Sequence, residues 1–423
     1  MKRCADSTLS LLFVSILIIS VESQTTTDAN ANTIKCKETL TTLEEFRSIV
    51  GEGTVVNCRS LGITDENLYT VIRQIEGKKV IAIDLSSNHL KSIDMSVFNT
   101  FSQLKLLNLS DNGIRDISST AQDLNPGISV VDFSWNRLTE IDKKMVPLHA
   151  WRLIFSQNQI SYIVNGTFEP TKAGTHLKEL DLSHNKMKSL FNVDGGILET
   201  PLLEKLNLSH NSLGSYFSDE HKLMVAFTRL TNLVILDTSY NDISRIFAAD
   251  MQSLGSLQYL NLSHNELPDM DAFSFNSLTL KQKGHPYLWQ HWFYRWWILT
   301  GPGLRQIREL DLSYNHIRNI DVIMIHDFSR LDKVDMSNNW YHCDGDLFFA
   351  VSLMKNNTYI NTTLQYLHEP NYYVCTSPLE NINKPIYQFN CTGQCAERFD
   401  YLKMQFLATH GFTDQSLSSG GNF

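Results

Sequence analysis

The chain has 423 residues, of which 19% are charged, and a formal net charge of −9. An acidic surface of this kind speaks against nucleic acid as the main partner. The length would hold two or three globular domains, and beyond the N-terminus no run of about eighteen or more apolar residues offers a membrane span.

Residues 1–23 read as a secretory signal: Lys2 and Arg3 open it, Leu9 to Ser20 is an apolar run too short to cross a bilayer, and Val21-Glu22-Ser23 supplies small residues for cleavage. Residues 24–33, rich in Thr, Asn and Ala, read as a disordered leader. The end, "QSLSSGGNF", lacks the hydrophobic tail of a lipid-anchor signal. The expected product is soluble, secreted and extracellular. Loss of the signal removes Cys4 and leaves Cys36, Cys58, Cys343, Cys375, Cys391 and Cys395.

Between Cys58 and Cys343 one phrase recurs, apolar-x-apolar-Ser-x-Asn-x-apolar. Clear copies are "IDLSSNHL" at 83–90, "LDLSHNKM" at 180–187 and "LDLSYNHI" at 310–317. Its asparagines are Asn88, Asn112, Asn136, Asn158, Asn185, Asn211, Asn241, Asn265, Asn315 and Asn339, at separations of 24, 24, 22, 27, 26, 30, 24, 50 and 24. Self-similarity near this period means a solenoid. In Leu180-Asp181-Leu182-Ser183 the leucines point to one face of a short strand, and Asp181 and Ser183 to the other. One such strand cannot bury its leucines alone, so copies must stack into a parallel sheet over a continuous core. The asparagine follows where the chain turns, and its amide can satisfy backbone groups there. Leu182→Ala is therefore expected to cost far more than Asp181→Ala.

Over residues 80–340 the pattern resembles the extracellular "typical" leucine-rich repeat. The resemblance implies an α/β solenoid: a leucine-rich-repeat horseshoe with a parallel concave sheet and disulfide-locked caps. It divides the chain into an N-terminal cap (34–79), repeats (80–339), a C-terminal cap (340–395) and a tail (396–423). The "VVNCRSLGIT" at 55–64 resembles an opening cap strand with Cys36 paired to Cys58, and "NNWYHC" at 338–343 resembles the start of a closing cap, for which a Cys343–Cys375 pair is expected. Cys391 and Cys395 are left to bond each other, to link a partner chain or, as a weaker alternative, to bind zinc. The second cysteine usual after the closing tryptophan is absent, and the layout resembles insect leucine-rich-repeat immune proteins.

The 50-residue step from Asn265 to Asn315 breaks the period. Residues 281–306 read as an inserted loop or as one degenerate coil. The segment holds Trp289, Trp292, Phe293, Tyr294, Trp296 and Trp297, with Arg295 among the aromatics and no acidic residue from Ala272 to Arg308. It admits three readings: a partner-binding element with tryptophan and arginine anchors, a membrane or glycan contact, or a plug folded back on the solenoid.

Large amphipathic residues immediately precede six of the asparagines: Trp135, His184, His210, Tyr240, His264 and Tyr314. On an exposed curved face these make a protein-binding surface, or else they stack on one another and cover the sheet. N-glycosylation sequons occur at Asn108, Asn165, Asn207, Asn261, Asn356, Asn361 and Asn390. Asn108, Asn207 and Asn261 arise from the repeat phrase itself and can be chance matches, whereas Asn356 and Asn361 lie outside it and are the better candidates. The run Asp181-Leu182-Ser183-His184 holds the residue types of a hydrolase triad, but it is repeat consensus, and no Gly-x-Ser-x-Gly, phosphate-cradling loop or His-Glu-x-x-His occurs. No catalytic residue, metal or cofactor is expected. The reading is a non-catalytic recognition protein for a protein or glycan ligand, with a disulfide-linked or non-covalent dimer left open. The resemblance implies innate immunity, the alternative being adhesion or matrix organisation and, distantly, a secreted hydrolase.

Overall fold

The computed structural model describes residues 34–40, 52–118, 127–168, 176–192, 195–196, 200–214, 227, 229–244, 254–268, 306–320, 331–356, 364, 367, 369, 371–389 and 391–410. Two compact units divide the chain, residues 1–211 and 212–423.

In the first unit, β1 (Lys37–Leu40) lies antiparallel on β2 (Thr54–Asn57). From β2 onward every neighbour is parallel: β3 (Val80–Asp84), β4 (Leu106–Asn108), β5 (Val130–Asp132), β6 (Arg152–Ile154), β7 (Glu179–Asp181) and β8 (Lys205–Asn207). The parallel sheet thus begins inside the N-terminal cap, one strand before the first copy of the phrase. Helix α1 (Asp65–Arg73) follows β2 and buries Leu68, Val71 and Ile72. Cys36 is bonded to Cys58.

The second unit stacks β9 (Ile235–Asp237), β10 (Tyr259–Asn261), β11 (Glu309–Asp311) and β12 (Lys333–Asp335), all parallel. Leu260 is registered directly with Leu310. β10 and β11 are thus direct neighbours in the ladder, and residues 281–305, for which a loop or a degenerate coil was expected, lie outside the described residues. A closing pair, β13 (Tyr341–His342) and β14 (Cys375–Ser377), is joined by the Cys343–Cys375 bond. Cys391 and Cys395 bond each other. Helix α2 (Gly345–Asn356) and helix α3 (Gln394–His410) pack together: the Phe399 ring meets Phe348 edge-on at 5.2 Å, and Arg398 Nε lies 2.9 Å from Asp346 Oδ1. A 17-residue helix therefore occupies the first half of the expected tail.

Leucine alternation does what period two requires. Leu180 and Leu182 are fully buried, as are Leu107, Leu109, Val131, Leu153, Leu206 and Leu208 in the first unit and Leu236, Leu262 and Leu312 in the second. The asparagine ladder ties coil to coil. Asn185 Oδ1 accepts from Ile160 N–H at 2.9 Å in the preceding coil, while its Nδ2 donates to the carbonyls of Phe155, Leu182 and Ser183. Asn315 repeats the arrangement across the 50-residue step, accepting from Leu267 N–H at 3.1 Å and donating to Leu262 O at 3.0 Å. Because coil follows coil this way, backbone groups that no strand pairs are satisfied in the core.

Candidate partner-binding face

The residue before each ladder asparagine has a left-handed backbone. Ser87, Asp111, Trp135, Gln157, His184, His210, Tyr240, His264, Tyr314 and Asn338 all have φ between 52° and 58°. Outside glycine, asparagine and aspartate this conformation costs roughly 1 kcal/mol or more per residue. Among these residues Trp135, Tyr240 and Tyr314 are exposed. Six of the ten positions carry an aromatic or imidazole ring, the six sequence-singled residues.

The structure brings five of these together in two stacks. In the first unit His184 and His210 lie face to face at 3.9 Å. In the second, Tyr240 stacks on His264 at 3.9 Å and His264 on Tyr314 at 4.1 Å, the planes within 11°. Trp135 is 60% exposed, and the same turn position in the adjoining coils is held by Asp111 and Gln157. Tyr240 and Tyr314 keep 41% and 48% of their surface exposed. The rings thus stack and still present their edges to solvent, so the two sequence readings of this row are compatible. Burial holds the imidazoles of His184 and His264 below the ordinary histidine range, which favours neutral rings.

Sequence reasoning missed a parallel column one residue beyond the asparagines, where His316 stacks on Trp340 at 3.7 Å. The signal was there, since both positions follow the ladder residue directly.

The adjacent row is Asp84, Asn108, Asp132, Asp181, Asn207, Asp237, Asn261, Asp311 and Asp335. These residues are buried or half-buried. Each Oδ1 accepts from the backbone N–H of the serine two residues on, at 2.8–3.0 Å. Asp181→Ala, expected to cost far less than Leu182→Ala, therefore loses one hydrogen bond. Burial raises the carboxyls of Asp84, Asp132, Asp237 and Asp335, and takes Asp311 to about 6, with Asp335 beside it as the second cause.

The row before that one changes character along the sheet. In the first unit Val55, Ala82, Leu106 and Val130 form an apolar cluster, against which Trp151 packs. Charged residues then alternate: Arg152 Nε lies 3.2 Å from Glu179 Oε2, and Lys205 Nζ pairs with the other oxygen.

The run Asp181-Leu182-Ser183-His184 does not come together as a triad. Asp181 bonds Ser183 through the backbone, Ser183 is buried, and His184 is stacked on His210. A Ser–His contact exists elsewhere, with Ser377 Oγ 2.7 Å from His342 Nδ1, but Asp344 stands 3.9 Å from Nε2 and caps α2 through Leu347 N–H. Among the described residues no group of three or more His, Cys, Asp or Glu could hold a metal.

Asn165 is exposed, whereas Asn108 and Asn207 are buried with their amides on the serine backbone. Asn261 is half-buried and donates to Asp237 Oδ2 at 3.1 Å. Asn356 ends α2. Asn361 and Asn390 lie outside the described residues, as do Trp289, Trp292, Arg295 and Trp296.

Comparison with known proteins agrees with this architecture. Leucine-rich-repeat profiles match residues 79–138 and 224–267, and a second such profile matches 175–189 and 304–325. Rabbit (Oryctolagus cuniculus) lumican is 31% identical over 151 residues, which cover 35% of this chain and 70% of lumican. The chain belongs to the leucine-rich-repeat family. Toll-like receptor 9 of sheep (Ovis aries) is 28% identical over 279 residues, 57% of this chain and 24% of that receptor. Among solved structures, a chain of the mouse RP105/MD-1 complex superposes with a TM-score of 0.57 at 16% identity, covering 80% of this chain and 54% of its own. The chain thus spans about a quarter of the sheep receptor and about half of that structure.

Proposed function

We propose that this leucine-rich-repeat protein is an extracellular, non-catalytic recognition protein that binds a protein partner through the open face of its sheet. The observation that carries the reading is the ring column: large side chains held at left-handed positions, at a conformational cost, with their edges in solvent. A fold that needed only a turn there would use asparagine, aspartate or glycine. Rigid aromatic groups with polar tips are the usual anchors of interfaces. Three disulfides and the N-terminal signal of residues 1–23 support secretion, and no helix among the described residues is long and apolar enough to cross a membrane. Asn165, exposed, is the sequon best placed to carry a glycan. The Trp289, Trp292, Arg295 and Trp296 segment is a second partner-binding element. Innate immunity is the setting favoured, on the cysteine layout after residue 340 and on a relative that is by name a receptor.

The test is affinity capture from native extracellular fluid, comparing the full chain with its Tyr240→Ala/His264→Ala/Tyr314→Ala variant. A bound protein lost from the variant at unchanged melting temperature supports the reading. Equal capture by both sinks it.

A further inference from the structure

We propose that the first unit carries a site for a sulfated glycan on the surface that follows its ladder asparagines, with Arg115, Arg137 and the cations beside them on the sulfate groups and Trp135 under a sugar ring. The site belongs to the other unit from the Tyr240, His264 and Tyr314 column and does not depend on the protein partner proposed above.

Beyond Asn88, Asn112, Asn136, Asn158 and Asn185 the chain places one buried residue between two that emerge. Leu90, Ile114, Leu138, Ile160 and Met187 are fully buried. The residues on either side of them make two columns: His89, Gly113, Arg137, Gln159 and Lys186, and then Lys91, Arg115, Thr139, Ser161 and Lys188. All but Gly113 are exposed. Backbone bonds hold the columns in register. Arg115 N–H donates to Lys91 O at 2.9 Å, Arg137 N–H to Ile114 O at 2.9 Å and Lys186 N–H to Ile160 O at 2.8 Å. The two columns hold five lysines and arginines and one histidine, and no acidic residue. At about 4.8 Å per coil the cations run about 19 Å along the stack, from Lys91 to Lys188. Such a row suits a linear anion.

Trp135 stands beside this row, two residues before Arg137 and 60% exposed. Asp111 and Gln157 hold its position in the adjoining coils, so no ring of its own row lies on its faces, whereas His184 and His210 cover each other. An open aromatic face is where the C–H groups of a pyranose lie, and the forked donors of arginine take the oxygens of an anionic ester. A run of acidic side chains would use the cations and leave the ring. Carboxylates border the columns at Asp111, Asp116 and Glu140, and Asp65 reaches in from α1. Asp65 is committed to the N–H groups of Lys91 and Ser92, and Glu140 to the Tyr162 hydroxyl. The net charge of −9 does not oppose the assignment, because charges beyond about 8–10 Å are largely screened at physiological salt.

Fluorescence anisotropy of the full chain with a labelled heparin octasaccharide tests this, beside the desulfated octasaccharide and an oligoglutamate peptide. Expected results are binding of the sulfated chain alone, a Kd raised at least about tenfold in Arg115→Gln/Arg137→Gln, and one raised about threefold or more in Trp135→Ala. The wild-type Kd should weaken at least about tenfold between about 50 and about 200 mM salt. Lys143→Gln/Lys144→Gln removes as many charges from a turn of the same unit, Lys143–Met145, and should leave the Kd alone. The proposal is overturned if the desulfated chain or the peptide binds as tightly, if salt has no effect, or if the control variant loses as much as the arginine variant. An unchanged Kd in the arginine or the tryptophan variant, at unchanged melting temperature, overturns it too. None of these outcomes bears on the capture test of the Tyr240, His264 and Tyr314 column.

Discussion

Asn315 shows how much one side chain can hold. It is 1% exposed, and its amide satisfies one N–H and three carbonyls in two coils whose ladder asparagines are 50 residues apart in sequence. Alanine there leaves these groups buried without partners, and the expected loss is about 2–4 kcal/mol in denaturant melts. Aspartate should be worse, because a carboxylate would face Leu262 O and Leu312 O. Leu182→Ala should cost about 2–5 kcal/mol, since Leu182 is fully buried. Asp181→Ala, which loses the bond to Ser183 N–H, should cost about 1 kcal/mol. Equal losses for Leu182 and Asp181 would contradict the alternation of faces. At this scale the sequence was readable for the inward residues, because leucine at period two has one physical meaning. It was less readable for the outward ones. That Asp and Asn would be half-buried, bonded to the serine backbone and shifted in pKa depends on how closely neighbouring strands crowd them, which no single repeat discloses.

The elements separate into those set by a local pattern and those set by distant contacts. The strands belong to the first kind, and their registers place like residues opposite like, Leu180 on Leu206 and Leu260 on Leu310. The ring stacks belong to the second. The sequence placed six large residues in one row, but stacking requires adjacent coils both to carry a ring, which holds for His184 with His210 and for Tyr240 through Tyr314 but not for Trp135. Helix α3 also belongs to the second kind: its partner is α2, some 50 residues earlier in the chain (Arg398 with Asp346 is 52 residues apart), and nothing local announces Phe399 against Phe348. The closing cap yields a direct comparison. The Cys343–Cys375 bond spans 32 residues and Cys391–Cys395 only 4. On loop-closure entropy, replacing the first pair by serine should cost about 4 kcal/mol and the second about 2. Thermal melts of the two double variants check the order, and a reversed order would mean that the short bridge is what holds α3 in place.

At the scale of the whole molecule, protons act in two directions. Five aspartates, Asp84, Asp132, Asp237, Asp311 and Asp335, have folded pKa values raised by burial, so the folded chain binds protons more readily than the unfolded one. Their effect on stability grows as pH falls through the folded values toward the ordinary carboxylate range, and is lost as pH rises again. His184 and His264 act oppositely: their folded pKa values are depressed, so stability they contribute above about 6.5 declines as pH falls below it. The carboxylates are more numerous and more buried, and should prevail. The denaturation midpoint is therefore expected to be higher at pH 5 than at pH 7.5. Asp311, moved from 3.8 to about 6, is the largest single contributor, worth about 1–3 kcal/mol over that window. Asp311→Asn keeps the bond to Ser313 in the manner of Asn261 and removes the charge. It should raise stability at pH 7.5 and flatten the rise on acidification, whereas His264→Gln should steepen it. A wild-type midpoint that falls steadily from pH 7.5 to pH 5 would show that the imidazoles govern the balance and that the aspartate row is better hydrated than its burial implies.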